Sequence, residues 1–199
     1  MSLPQLNNLI SEFAKLPGVG RVTAQRLALH VIKKPRSHAE LLVSALLSAK
    51  DEIKYCKVCF NFTEISNSVC QICRDEERDH SCVCVVEQAS DVLALETNAI
   101  HRGVFHVLGG LLSPLDGVGP DDLSIKDLTL RVSAVEVHEV ILAFNAGPEG
   151  DATSTYLFKI LSEHVKVSIP ARGLPVGADL DLADGITLSH AFEGRSSLE

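Results

Sequence analysis

The sequence predicts an α+β chain in several parts: a helical head, a four-cysteine zinc finger, an α/β domain with a mainly parallel sheet, and a C-terminal strand and helix extension. Three observations predict it. Two apolar-periodic stretches flank Pro17-Gly18-Val19-Gly20, and Cys56-Lys57-Val58-Cys59 is answered by Cys70-Gln71-Ile72-Cys73. From Cys82 onward, β-prone runs alternate with helical ones. The expected divisions are 1–54 for the head, 55–79 for the finger, 80–167 for the α/β domain and 168–199 for the extension.

In the head, Leu6, Leu9, Ile10 and Phe13 recur at helical spacing and predict a helix from Gln5 to Lys15. Pro17 disfavours a helical Leu16, and the glycines that follow allow a turn. A second helix is expected over Thr23 to Ile32, with Ala24, Leu27 and Val31 on one face, Thr23 as its cap, and Pro35 ending it. A third, over Ser37 to Lys54, carries Leu41, Leu42, Ala45, Leu46, Ala49 and Ile53.

Helix, Pro-Gly-Val-Gly, helix is the pattern of a helix-hairpin-helix. A glycine turn lets backbone N–H groups approach a phosphate, and the following helix directs its positive N-terminus the same way. Gly18, Gly20, Arg21, Arg26 and Lys15 are the candidate contacts, with Lys33, Lys34 and Arg36 nearby. Such contacts carry no base sequence information. A hairpin used only for packing needs the same glycines, and charge separates the two readings. Residues 1–54 hold eight Lys and Arg against four Asp and Glu, a balance of +4, whereas 55–199 hold ten against twenty-two, a balance of −12. A basic head on a chain of net charge −8 favours an anion-binding surface.

Two Cys-x-x-Cys turns supply four soft ligands, which suit one tetrahedral Zn²⁺, so Cys56, Cys59, Cys70 and Cys73 are the candidate metal ligands. No apolar run reaches the roughly eighteen residues of a membrane span. Met1-Ser2-Leu3-Pro4-Gln5 lacks a basic region followed by an apolar block. A reducing, cytoplasmic compartment is therefore expected, which favours metal over disulfides.

After a charged connection over Arg74–His80, Ser81 to Val86 reads as a buried strand ending on Glu87, with Cys82 and Cys84 as small core residues on one face. Ser90 is the expected cap of a helix over Asp91 to Thr97, and Val104 to Leu108 is a second strand. Leu111 to Asp122, rich in Gly, Pro and Asp, reads as a loop with freedom to move. A helix over Ser124 to Ala134, a strand over Val140 to Phe144, a helix starting near Thr153 and a strand over Val165 to Ile169 complete the alternation. Functional groups of such sheets gather at the carboxyl ends of strands, where Glu87, Glu149 and Asp151 lie. Acids there either hold Mg²⁺ and move protons or simply face water, and the residues alone leave both readings open.

A helix-hairpin-helix, a four-cysteine cluster and an α/β domain with a strand-end Glu87 and a later Glu149-Gly150 turn, in that order, resemble the RecR family of bacterial recombination mediators. The resemblance extends over nearly the whole chain. It includes Cys84-Val85-Val86-Glu87, Glu149-Gly150-Asp151-Ala152-Thr153, Ala171-Arg172-Gly173-Leu174-Pro175-Val176-Gly177 and the tail Thr187 to Arg195. It implies a Toprim domain over 80–167, a Walker-B-like extension over 168–199, and one structural zinc per chain. It also implies a DNA-binding protein without catalytic residues, acting in recombinational repair of DNA damage. Members assemble as ring-like tetramers and work with RecO and RecF, helping RecA displace single-strand-binding protein on single-stranded or gapped DNA. A cytoplasmic, nucleoid-associated location follows from that role.

Three departures bear on the chemistry. Toprim enzymes carry an Asp-x-Asp pair for Mg²⁺ where this chain has Asn145 and Gly147. Many family members have a lysine two residues after the hairpin's second glycine; here that position is Val22, beside Arg21. The segment before Ala171 reads Ser168-Ile169-Pro170, where relatives carry an arginine, and the chain has no Gly-x-x-x-x-Gly-Lys-Ser/Thr loop. The alternative function is a Mg²⁺-dependent Toprim-type nuclease or strand-transfer enzyme using Glu87, Glu149 and Asp151. The lost Asp pair and the absence of a tyrosine beside those acids (Tyr55 and Tyr156 are the two in the chain) argue against it.

Overall fold

The computed structural model describes residues 3–134, 136–175 and 177–195, so Val176 of the Ala171–Gly177 motif, and Met1 and Ser2 of the N-terminal segment, lie outside the described residues. The chain divides into two compact units, Met1–Ile53 and Lys54–Glu199.

The first unit is three helices. α1 (Pro4–Ala14) opens on a proline whose missing N–H costs nothing in the first turn. Its apolar row Leu6, Leu9, Ile10 and Phe13 is half-buried against α2 (Arg21–Lys33), where Ala24 and Ala28 are fully buried. α2 starts two residues earlier than the spacing suggests. Its N-cap is Gly20, with no side-chain cap, and Thr23 lies inside the helix. α3 (Arg36–Glu52) has no buried residue; Leu41, Leu42 and Leu46 stand exposed in the single chain. It also stops at Glu52, because the β-branched Ile53 opens a strand.

From the last residue of the first unit, β1 (Ile53–Tyr55) leads into the second and forms a two-stranded ribbon with β2 (Phe62–Glu64), followed by the short helix α4 (Gln71–Arg74). A four-stranded, wholly parallel sheet then forms from β3 (Asp79–Val86), β4 (Gly103–Val107), β5 (Glu139–Leu142) and β6 (Lys166–Ser168), in the order β4-β3-β5-β6. Its crossover helices are α5 (Ala89–Thr97), α6 (Ile125–Ala134) and α7 (Pro148–Leu161). α5 is capped at Gln88, whose backbone N–H donates to the Asp91 carboxylate at 2.8 Å, so Ser90 is a helical residue and not the cap. α7 begins at Pro148, five residues before the expected start, with the proline at its first position. After β6 the extension contributes a 3₁₀ turn (Leu180–Leu182) and α8 (Gly185–Glu193), capped by Asp184; its strand content ends at Ser168. None of the helices is long and apolar enough to cross a membrane among the described residues.

The core lies on both faces of the sheet. Val83, Val85, Val104 and Val140 pack with Leu128 and Val132 of α6 and Leu157 and Leu161 of α7, while Cys84, Val86, Phe105 and Val107 pack with Val92 of α5. Burial pushes the Cys84 thiol up to about 12, so it behaves as an apolar side chain, as its strand position predicts.

His106, in β4, is fully buried. Ser124 Oγ donates to the Val107 carbonyl at 2.7 Å, which leaves it to accept the His106 Nε2 proton at 2.9 Å; Nδ1 has no partner. Burial lowers this imidazole to about 4. The unfolded chain, with an ordinary value near 6.5, then binds the proton more readily than the native one. Stability is thus complete above about pH 6.5 and falls as the pH drops toward 4, by up to about 3 kcal/mol. Thermal melts of the wild type and His106→Gln at pH 7 and pH 4.5 check this. The wild type loses more stability than the variant, and equal losses would refute the assignment.

Candidate metal centre and nucleic-acid interface

Cys56 and Cys59 sit on the knuckle after β1, and Cys70 and Cys73 on the turn into α4. Cys56, Cys59 and Cys70 are buried and Cys73 is half-buried. The four sulfurs lie within 4.8 Å of one another, with Cys59 and Cys70 3.5 Å apart. Thiolates bound at about 2.3 Å around a tetrahedral Zn²⁺ stand about 3.8 Å apart, so the cluster fits the ion closely. The Cys56 sulfur also accepts the backbone N–H groups of Val58 (3.4 Å) and Cys70 (3.3 Å), two bonds that hold the ligand in place. A hydrogen bond to Cys70 pushes the Cys59 thiol up, and the same bond pulls Cys70 down. Four cysteines at this spacing suit one structural zinc ion between them. The centre is closed: four protein ligands leave no position for substrate.

The knuckle is fastened to the sheet. The Val107 N–H of β4 donates to the Cys59 carbonyl at 2.8 Å, and Phe60 packs edge-on against His106 with ring centroids 5.5 Å apart. Phe60 takes φ of 60°, an uncommon conformation for a residue with a side chain. Ile72 contributes to the packing of all three core clusters. The spacing of the cysteines reveals the ligands but not these fastenings, which join residues far apart in the chain.

In the head, Gly18 turns the hairpin at φ of 76°, where any other residue would be strained. Gly20 is different. Its φ is −72° and a Cβ there would meet nothing within 4 Å, so the fold itself does not require a glycine. The helical ladder begins with Ala24 N–H donating to the Gly20 carbonyl, so the N–H groups of Arg21, Val22 and Thr23 precede it. Arg21 and Arg26 are both exposed, whereas Lys15 is already engaged by Glu12 at 2.7 Å.

The three strand-end acids do not gather. Among the described residues, the four cysteines alone form a group able to hold a metal. The half-buried Glu87 is bonded by Gln88 Nε2 at 3.1 Å. Glu149 lies 2.8 Å from the buried Ser113 hydroxyl, which also stands 2.7 Å from Asp116. Asp151 is ion-paired with Arg172 at 2.6 Å, and this arginine belongs to the motif after β6. The loop over Leu111–Asp122 has hydrogen bonds of its own. Ser113 and Val118 exchange backbone hydrogen bonds, and the Leu112 N–H donates to Thr153 Oγ1 at 2.9 Å.

Comparison with known proteins accords with this arrangement. Family models described as RecR helix-hairpin-helix, RecR four-cysteine zinc finger, Toprim domain and RecR C-terminal match residues 6–50, 53–75, 81–171 and 173–196. The chain is 51% identical over 195 residues to the recombination protein RecR of Moorella thermoacetica, covering 98% of this chain and 97% of that one. It is 49% identical to that of Pelodictyon phaeoclathratiforme, covering 96% of each, and 46% identical to that of Rippkaea orientalis over the full length of both.

Proposed function

The chain belongs to the RecR family of recombination proteins, and we propose on that premise that it is a non-enzymatic DNA-binding mediator of recombinational repair. In this reading it acts with RecO and RecF to help load RecA on single-stranded or gapped DNA. The observation that carries the DNA contact is the uncapped start of α2 behind the Gly18 turn, open to a phosphate and flanked by Arg21 and Arg26. Backbone amides and guanidinium groups at such a site bind phosphates and ignore base identity.

The acids support a structural role. Asp151 is neutralised by Arg172, and Glu149 fastens the Ser113 loop. Their reach toward protein partners belongs to the same proposal. So does assembly into a ring-like tetramer, which the exposed apolar row of α3, with Leu41 70% and Leu46 63% exposed, supports. Zinc serves architecture, with the four-part division at 54, 79 and 167 as its frame.

Salt titrations of DNA affinity test the reading. Arg21→Ala with Arg26→Ala weakens binding to gapped and to single-stranded DNA and flattens the slope of log K against log salt by about 1 to 2. An unchanged slope and affinity would remove the proposed surface. Mg²⁺-dependent cleavage of labelled DNA that disappears in Glu87→Ala would favour a Toprim-type enzyme instead.

A further inference from the structure

α2 carries a row of donors that the hairpin does not use. Arg26, His30 and Lys33 are spaced by four and three residues, so they fall within about 60° of one another around the helix. With Thr23, one turn earlier, they line one open groove beside Leu27 and Leu29. Arg21 and Gln25 line a different groove, shared with Asn7 and Ser11 of α1. Five residues separate Arg21 from Arg26, which is about 140° around the helix, so the two arginines face different flanks. α2 contains no acid, and among the described residues no carboxylate is ion-paired with Arg26 or Lys33. The His30 ring packs edge-on against His38 of α3, centroids 6.2 Å apart, which steadies the far end of the row.

We propose that the head makes two separable contacts with nucleic acid, one on each flank of α2. The hairpin end and Arg21 take the backbone of one strand; Thr23, Arg26, His30 and Lys33 take the phosphates of a second. This rests on the DNA-binding reading above and adds a second strand to it. Ten residues of helix rise about 15 Å, long enough to meet more than one phosphate of a strand. A duplex, or the duplex arm of a gapped molecule, engages both flanks. A lone single strand engages the hairpin flank.

The test measures binding of the full chain to a 30-nucleotide single strand and to a duplex of the same length across a salt series. The variants are Arg21→Ala, Lys33→Ala, Lys33→Glu and His30→Gln with Lys33→Ala, with circular dichroism as the check that these exposed substitutions leave the fold intact. Lys33→Ala is expected to lower the duplex slope by about 1, to leave the single-strand slope unchanged, and to add to the effect of Arg21→Ala. Lys33→Glu weakens duplex binding further. If Arg21→Ala lowers the slope while every Lys33 variant leaves it unchanged, the second contact is wrong and the hairpin reading stands. Equal losses on both DNAs from the Lys33 variants overturn the assignment to a second strand. If no variant changes either slope, or the wild type binds neither DNA, the DNA-binding reading fails and this inference with it.

Discussion

Cys56→Ser loses its zinc and melts at least about 6 °C below the wild type, while the fraction still folded at low temperature keeps its affinity for DNA. Structural zinc sites contribute about 10 kcal/mol or more to the folding of the segments they organise, and losing one thiolate forfeits part of that. A loss of about 3 kcal/mol corresponds to roughly 6–12 °C for a chain of this size. The Cys56 sulfur is also the acceptor for the Val58 and Cys70 N–H groups, so serine weakens the knuckle beyond the metal bond. Metal content and thermal unfolding, with DNA binding measured well below the melt, check the expectation. A variant that melts normally but fails in DNA binding would place the zinc in the interface and not in the architecture.

Gly150→Ala is the second large effect. Gly150 lies in the first turn of α7, and a Cβ there would meet the Asn145 carbonyl oxygen at a distance no real Cβ tolerates. The obstacle is backbone, so no side chain can swing away. Either the strand-end turn after β5 shifts or α7 does, and α7 carries Thr153, Leu157 and Leu161 into the core. Overpacking of this kind costs about 3 kcal/mol. It also displaces Glu149 from Ser113, so chemical denaturation and hydrogen exchange at Leu112 should both report the change. A wild-type denaturation midpoint would show that the turn yields freely.

Local chemistry makes much of the fold legible. The row Leu6, Leu9, Ile10 and Phe13 marks α1, the paired Cys-x-x-Cys turns mark the metal centre, and the valine-rich runs mark β3 and β4. Helix starts are less legible, because a side-chain cap is only one way to begin a helix. α2 begins from an uncapped glycine, and the signal for α7 is Pro148, whose fixed φ suits a first turn. The candidate site divides the same way. The ligands and the hairpin glycines follow from spacing. The partners of the acids do not, since Ser113 and Glu149 are 36 residues apart and Arg172 reaches Asp151 from beyond β6. The Arg26, His30 and Lys33 row and its angle to Arg21 are a helical period in the sequence, whereas the open groove beside each flank is seen only in the structure.

β4 is one of the two outer strands of the sheet, all five of its residues are buried, and the knuckle carbonyl of Cys59 meets it at Val107. An outer strand with free backbone groups is a template for any other extended segment. Loss of the metal is therefore expected to lower solubility as well as to disturb the knuckle. Once the metal is stripped, the released edge can pair with a second chain, and refolding competes with aggregation. Light scattering from the chelator-treated protein should rise with protein concentration, and a clear, monodisperse apo sample would show that the edge is protected by other means.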